Sequence, residues 1–260
     1  MPNENDINAV MPRRVMTLFL LVDTSGSMTV NGNIGKVNSA IEEMIPLLQE
    51  VSDENADAEI KIAVLEFSSG CRWVTHDASG QEGAESLEGF FWNDLEASGL
   101  TDMGAAFTEL EGKLSRTAFL RSTTGAYTPV IILLSDGQPT DNIQTGLDKL
   151  KHNNWYKCAT KIAIAVDDSD ISVLSEFTGT TEAVLKVHSD REDLKNLLCR
   201  VAVVSSTMVS HSTNVAIGGN DEEAAEELAK ATIKQIREDS EISDPPSPVN
   251  PDDPWGNTTW

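Results

Sequence analysis

The sequence predicts an α/β fold: a doubly wound, mostly parallel six-stranded sheet with one antiparallel edge strand and helices on both faces. Three observations predict it. The runs Val15 to Val22 and PVIILL at 129–134 are apolar without alternation, as strands covered on both faces must be. Segments of helical period alternate with such runs along the chain. Both runs end in polar turns rich in Asp, Ser and Gly, at the strand ends where α/β sheets gather ligands.

The elements follow in order. Val15 to Val22 is the first strand. Gly32 and Gly35 mark a turn, after which Val37, Ile41, Met44, Ile45 and Leu48 recur at helical spacing to about Val51. Pro46 lies inside this helix, removes a hydrogen bond and is expected to bend its last turn. Glu59 to Phe67 is a second strand, turned by Ser68-Ser69-Gly70 into a third, Cys71 to Thr75. So short a connection joins only antiparallel neighbours, which sets the antiparallel edge. Residues 76–100 read as a loop held by Leu87, Phe90, Phe91 and Trp92. A helix follows with Ala105, Ala106, Phe107, Leu110 and Leu114 on its buried side and Thr101 or Asp102 as N-cap. The fourth strand is 129–134. Then come a helix from about Asn142 to Lys151, a strand Lys161 to Val166, a short helix Ile171 to Phe177, a strand Ala183 to Val187, and a helix from Asp190 to about Ser205. A sheet order of 3-2-1-4-5-6 makes the first and fourth strands neighbours at the switch point.

These elements divide the chain into an N-terminal extension (1–13), one domain (14–205), a Ser/Thr/Asn/Gly-rich linker (206–220), an acidic, solvated helix (221–239) and a Pro-rich tail expected to be disordered (240–260). The tail carries Trp255 and Trp260, candidate anchors for a second contact with a partner.

Charge and cysteine content narrow the function classes. With 42 acids against 19 Lys and Arg, the net charge of −23 repels phosphate backbones and anionic lipid, so neither nucleic acid nor membrane is an expected partner. Cys71, Cys158 and Cys199 show no metal or disulfide spacing and read as reduced core residues. The first apolar stretch is too short to span a membrane, which needs about 20 residues, and a cytoplasmic location is expected.

Asp23, Ser25 and Ser27 in VDTSGSM offer one carboxylate and two hydroxyls at a strand end, hard oxygen donors suited to Mg²⁺, Mn²⁺ or Ca²⁺. The same residues also serve ordinary strand-to-helix turns, where their side chains cap backbone N–H groups. Two further polar turns stand at 99–104 (GLTDMG) and 135–141 (SDGQPTD).

Taken together, Asp-x-Ser-x-Ser, a threonine in a glycine-flanked loop and an aspartate after PVIILL resemble the von Willebrand factor type A domain and its metal-ion-dependent adhesion site, over roughly residues 14–205. The resemblance implies a Rossmann-like fold and a cation, Mg²⁺ foremost, held by Asp23, Ser25, Ser27, Thr101 and Asp136. In the family the aspartates often act through water, and one coordination position stays open for an Asp or Glu of a protein partner. Gly26 and Asp102 are expected to support these ligands or meet the partner; Asp102 either orients Thr101 or a water, or caps the helix. The wording VDTSGSM and LSDGQPTD is similar to the bacterial TerY-like group associated with tellurium resistance, which implies Ser/Thr kinase or PP2C-type phosphatase partners.

The expected function is therefore a non-catalytic, metal-dependent interaction module. Its alternative is an adaptor for an ATP-driven, AAA+ or chelatase-like machine. Phosphotransfer on Asp23 is a remote alternative, because such sites need a second acid two residues on and Ser25 stands there. A serine hydrolase lacks its Gly-x-Ser-x-Gly elbow, and His76, His152, His188 and His211 read as surface or loop residues.

Overall fold

The computed structural model describes residues 13–136, 138–167, 169–187, 191–212 and 222–240. Its strands are β1 (Arg14–Asp23), β2 (Ala58–Ser68), β3 (Gly70–Trp73), β4 (Glu85–Ser86), β5 (Val130–Ser135), β6 (Thr160–Val166) and β7 (Val184–Val187). Its helices are α1 (Asn33–Glu54), α2 (Met103–Lys113), α3 (Ile143–His152), α4 (Asn154–Cys158), α5 (Ile171–Thr178), α6 (Arg191–Ser210) and α7 (Glu222–Ser240). The sheet order is β3-β2-β1-β5-β6-β7, with β4 beside β2. That is the anticipated order with one addition: the two-residue β4 shares the antiparallel edge with β3, pairing Lys61 with Ser86.

Side-chain alternation along β1 sorts the core into two layers. Leu18, Leu20 and Val22 pack with α1 and α6, whereas Phe19 and Leu21 pack under α2, α3 and α5. Asp23 continues the second series, so its carboxylate emerges on the α2 side. β1 and β5 run parallel with Val22 opposite Leu134, which sets Asp23 beside Ser135 at the sheet's carboxyl rim.

Three expectations are corrected. α1 continues past Pro46 to Glu54 instead of ending near Val51, with Ile41, Met44, Ile45 and Leu48 buried against the sheet and α6. α6 ends at Ser210 instead of near Ser205: Ser205, Ser206 and Val209 are buried, so the first part of the expected linker is helix. α7 is docked, not solvated. Ala225, Ile233 and Ile236 are buried, and Arg237 donates to the carbonyls of Glu182 (2.7 Å) and Val184 (3.4 Å) at the outer edge of the sheet.

Residues 213–220 of the linker, residues 1–12 of the extension, His188, and the tail beyond 240 with Trp255 and Trp260 lie outside the described residues. His76, His152 and His211 are exposed, and Cys71, Cys158 and Cys199 form no disulfide with one another. No helix among the described residues is long and apolar enough to cross a membrane.

Candidate metal centre

Asp23 ends β1, fully buried. Its Oδ1 accepts the Ser25 amide at 2.8 Å and its Oδ2 accepts the Ser135 hydroxyl at 2.6 Å. Burial pushes this carboxyl above the ordinary aspartate value, and the bonds from Ser135 and Ser25 offset only part of the rise. Ser25 is buried, Ser27 exposed, and their hydroxyl oxygens lie 3.0 Å apart. The Ser27 hydroxyl then donates to Asp136 Oδ1 at 2.8 Å. Asp136 is half-buried and also raised, first by burial, with Asp23 and Asp167 adding like-charge repulsion against the Ser27 bond.

The structure thus joins Asp23, Ser25, Ser27 and Asp136 through short polar contacts, although 109 residues separate Ser27 from Asp136. Thr101, buried, reaches the same rim through its backbone. On one side Gly26 N donates to Gly99 O at 3.1 Å and Ser98 N to Thr24 O at 2.8 Å. On the other, Thr101 N donates to Thr140 Oγ1 at 3.0 Å while Thr140 N donates to Thr101 O at 2.9 Å. Gly26 suits this approach, since a Cβ there would stand 3.3 Å from Gly99 O, close enough that the Gly99 carbonyl would have to give by a few tenths of an ångström.

Asp102 does not cap the helix, but it stands behind Thr101: its Oδ1 accepts the Thr140 hydroxyl at 3.4 Å, and that hydroxyl oxygen accepts the Thr101 amide at 3.0 Å. Its carboxylate also accepts the Gly70 amide at 2.7 Å, tying the β2–β3 turn to the Thr101 loop. The cap comes from Asp141, whose Oδ1 and Oδ2 accept the amides of Gly104 and Ala105, each at 2.9 Å. Asp141, Thr140 and Ser135 were not singled out from the sequence. The only signal was their place in the SDGQPTD turn, since the bonds they make cross 36 residues or more. Asp167, at the end of β6 with φ 53°, was also missed; its Oδ2 accepts the amide of the buried Asn33 at 2.8 Å.

The donor set fits a hard divalent cation. Two carboxylates whose charged forms are penalised by burial face two hydroxyls, and no cationic side chain contributes to either shift. Among the described residues no group of three His, Cys, Asp or Glu is placed to hold a metal, so hydroxyl oxygens must complete any coordination here. Val30 and Leu100, each 57% exposed, stand three residues past Ser27 and one before Thr101, flanking the polar centre with apolar surface.

A mostly parallel sheet whose switch-point strands lace three loops of carboxylates and hydroxyls defines a doubly wound α/β domain with a polar site on its carboxyl rim. The chain belongs to the von Willebrand factor type A domain family, whose sequence model matches residues 17–230 and so runs past α6 into α7. Domains of this family are generally interaction modules and not enzymes. Among solved structures, the chain is similar to proximal thread matrix protein 1 from the mussel byssus, at 16% identity and TM-score 0.56 over 75% of this chain and 49% of that one. A second structure of that protein has a zinc-occupied metal-ion-dependent adhesion site, at 15% identity and TM-score 0.56 over 75% and 48%. A von Willebrand factor type A protein from Catenulispora acidiphila matches at 16% identity and TM-score 0.52 over 75% and 43%. The chain spans less than half the length of each, and identities this low establish the fold alone. No curated protein sequence matches the chain.

Proposed function

We propose that this domain is a non-catalytic, divalent-cation-dependent interaction module that grips a carboxylate of a protein partner. Asp23, Ser25, Ser27, Thr101 and Asp136 would hold the cation, and the partner's Asp or Glu would complete its coordination. The observation that carries this reading is the Ser25–Ser27–Asp136 chain of oxygens, spaced 3.0 and 2.8 Å. Carboxylate and hydroxyl oxygens are hard donors that suit Mg²⁺ foremost, with Mn²⁺ or Ca²⁺ as alternatives, and the zinc-occupied site of the mussel protein supports a divalent cation in this fold.

The net charge of −23 gives the cation a second consequence. Without it, Asp23, Asp136 and Asp167 repel an acidic partner; with it, an incoming carboxylate gains a strong, partly desolvated bond. Val30 and Leu100 give the partner apolar contact around that bond. We place the module in a cytoplasmic stress or tellurium-resistance signalling system with a Ser/Thr kinase or PP2C-type phosphatase as partner, on the resemblance of VDTSGSM and LSDGQPTD to the TerY-like group.

Calorimetry with Mg²⁺ and Mn²⁺ tests the cation. Asp23→Ala is expected to abolish the binding isotherm, and Asp136→Ala to weaken it less if Asp136 acts through water. Undiminished binding by Asp23→Ala sinks the reading. Affinity capture from the native cell with Mg²⁺ or with chelator then separates metal-dependent partners from any held elsewhere.

A further inference from the structure

At the amino ends of β6 and β7, far from Asp23, a cleft of about 360 Å³ opens between α7, α4 and the end of α5. Its walls are apolar, with Phe177 on one side and Ala225, Ala229 and Ile233 of α7 on the other. Lys151, Lys157, Lys161 and Lys230 stand around it with Glu176, Glu182 and Glu226; Lys230 pairs with Glu226 at 2.7 Å and Lys161 donates to the Tyr156 carbonyl at 2.9 Å, so the positive side of the rim lies toward Lys151 and Lys157. An apolar slot with a basic rim fits an aromatic side chain flanked by acids.

The chain itself carries such a segment, Asp252-Asp253-Pro254-Trp255, beyond the end of α7. The exit from α7 is fastened at the cleft: Arg237 donates to Glu182 O at 2.9 Å from Nε and 2.7 Å from Nη2, and Glu182 lines the rim. Only two residues lie between Arg237 and the last helical residue, Ser240. From there to Trp255 a Pro-rich chain extends up to roughly 45 Å at about 3.1 Å per residue. The far wall at Ala225 lies only about 22 Å back along α7 at about 1.5 Å per residue. A tether of that length holds its end near the cleft at an effective concentration on the order of millimolar.

We propose that Asp252–Trp255 folds back into this cleft, seating the Trp255 indole against Phe177, Ala229 and Ile233 with Asp252 and Asp253 against the rim lysines. The cleft is thereby a docking site occupied in cis, separate from the candidate metal centre and independent of its cation. A partner competing for the cleft has to present the same chemistry, an aromatic residue preceded by acids.

The test uses the full chain labelled with 5-fluorotryptophan, whose five indoles give separate ¹⁹F resonances, with Trp255→Phe assigning the tail residue. The Trp255 resonance is expected away from the free-indole position, protected from a paramagnetic cosolute, unchanged on dilution and unchanged by chelator. Ala229→Glu, which fills the slot with charge, and the pair Lys151→Glu with Lys157→Glu, which inverts the rim, are each expected to return it to the free position. Unmoved Trp73 and Trp92 resonances report that these variants remain folded. A free-indole position in the parent chain overturns the proposal, as does a Trp255 resonance indifferent to both variants. A shift that vanishes on dilution also overturns it, because a second copy would then be the occupant.

Discussion

Asp141→Ala separates the scaffold of the site from its candidate ligands. Asp141 sits in the turn after β5, yet both its oxygens accept amides of α2, Gly104 N and Ala105 N at 2.9 Å each. These are the second and third residues of the helix, whose N–H groups have no partner within it. A single side-chain cap contributes about 0.5–2 kcal/mol, and a carboxylate at a helix N-terminus adds about 0.3–1 kcal/mol. Two capped amides and a charge, discounted because Asp141 is half-exposed and water can replace it, give a loss of about 2–3 kcal/mol. For a domain of this size that lowers Tm by about 4–12 °C, at about 2–4 °C per kcal/mol. Asp141→Asn keeps one good acceptor and should lose about half. Urea denaturation measures the midpoint shift, and calorimetry on the same variants measures Mg²⁺ affinity, which should fall because Thr140 and Asp141 together hold the Thr101 loop. An Asp141→Ala midpoint within about 0.5 kcal/mol of the parent would refute this assignment of the cap.

Other perturbations probe other joints. Gly146→Ala puts a methyl 2.5 Å from Gly104 O and 2.9 Å from Phe107 Cβ, so α3 must back away from α2; about 1–3 kcal/mol of stability should be lost by denaturation, and a neutral result would show that the helices are not locked there. Gly26→Ala brings its Cβ to 3.3 Å from Gly99 O and should lower Mg²⁺ affinity in calorimetry with little change in global stability; unaltered affinity would separate that contact from the site. Asp23 and Asp136 are both held above their usual value of 3.8, so their contribution to metal-free stability is present below the unfolded value and is lost as pH rises through the folded ones. A cation favours the ionised forms, so Mg²⁺ should raise Tm more at neutral than at mildly acidic pH, and an equal increment at both would contradict the coupling.

What could be read from the sequence was whatever depends on local period and strand-end chemistry. Leu18, Leu20 and Val22 against Phe19 and Leu21 announce a strand buried on both faces, and two such runs ending in Asp23 and Asp136 placed the site at the switch point. Contacts between distant segments stayed hidden. Thr101 or Asp102 looked like the cap because a cap is sought next to its helix, while Asp141 supplies it from another loop. Ser206 and Val209 looked like linker because they stand in a stretch rich in Ser, Thr and Asn, and packing in the interior carries α6 past them. The acidic composition of α7 hid Ile233 and Ile236, two apolar residues one turn apart that dock it.

The most direct measurement is anomalous diffraction from crystals of the protein grown with Mn²⁺. A single strong peak within coordination distance, direct or through one water, of Asp23, Ser25, Ser27, Thr101 and Asp136 is the expected result. Full occupancy of a peak elsewhere on the surface, with none at the end of β1, would contradict the assignment of this rim as a cation site.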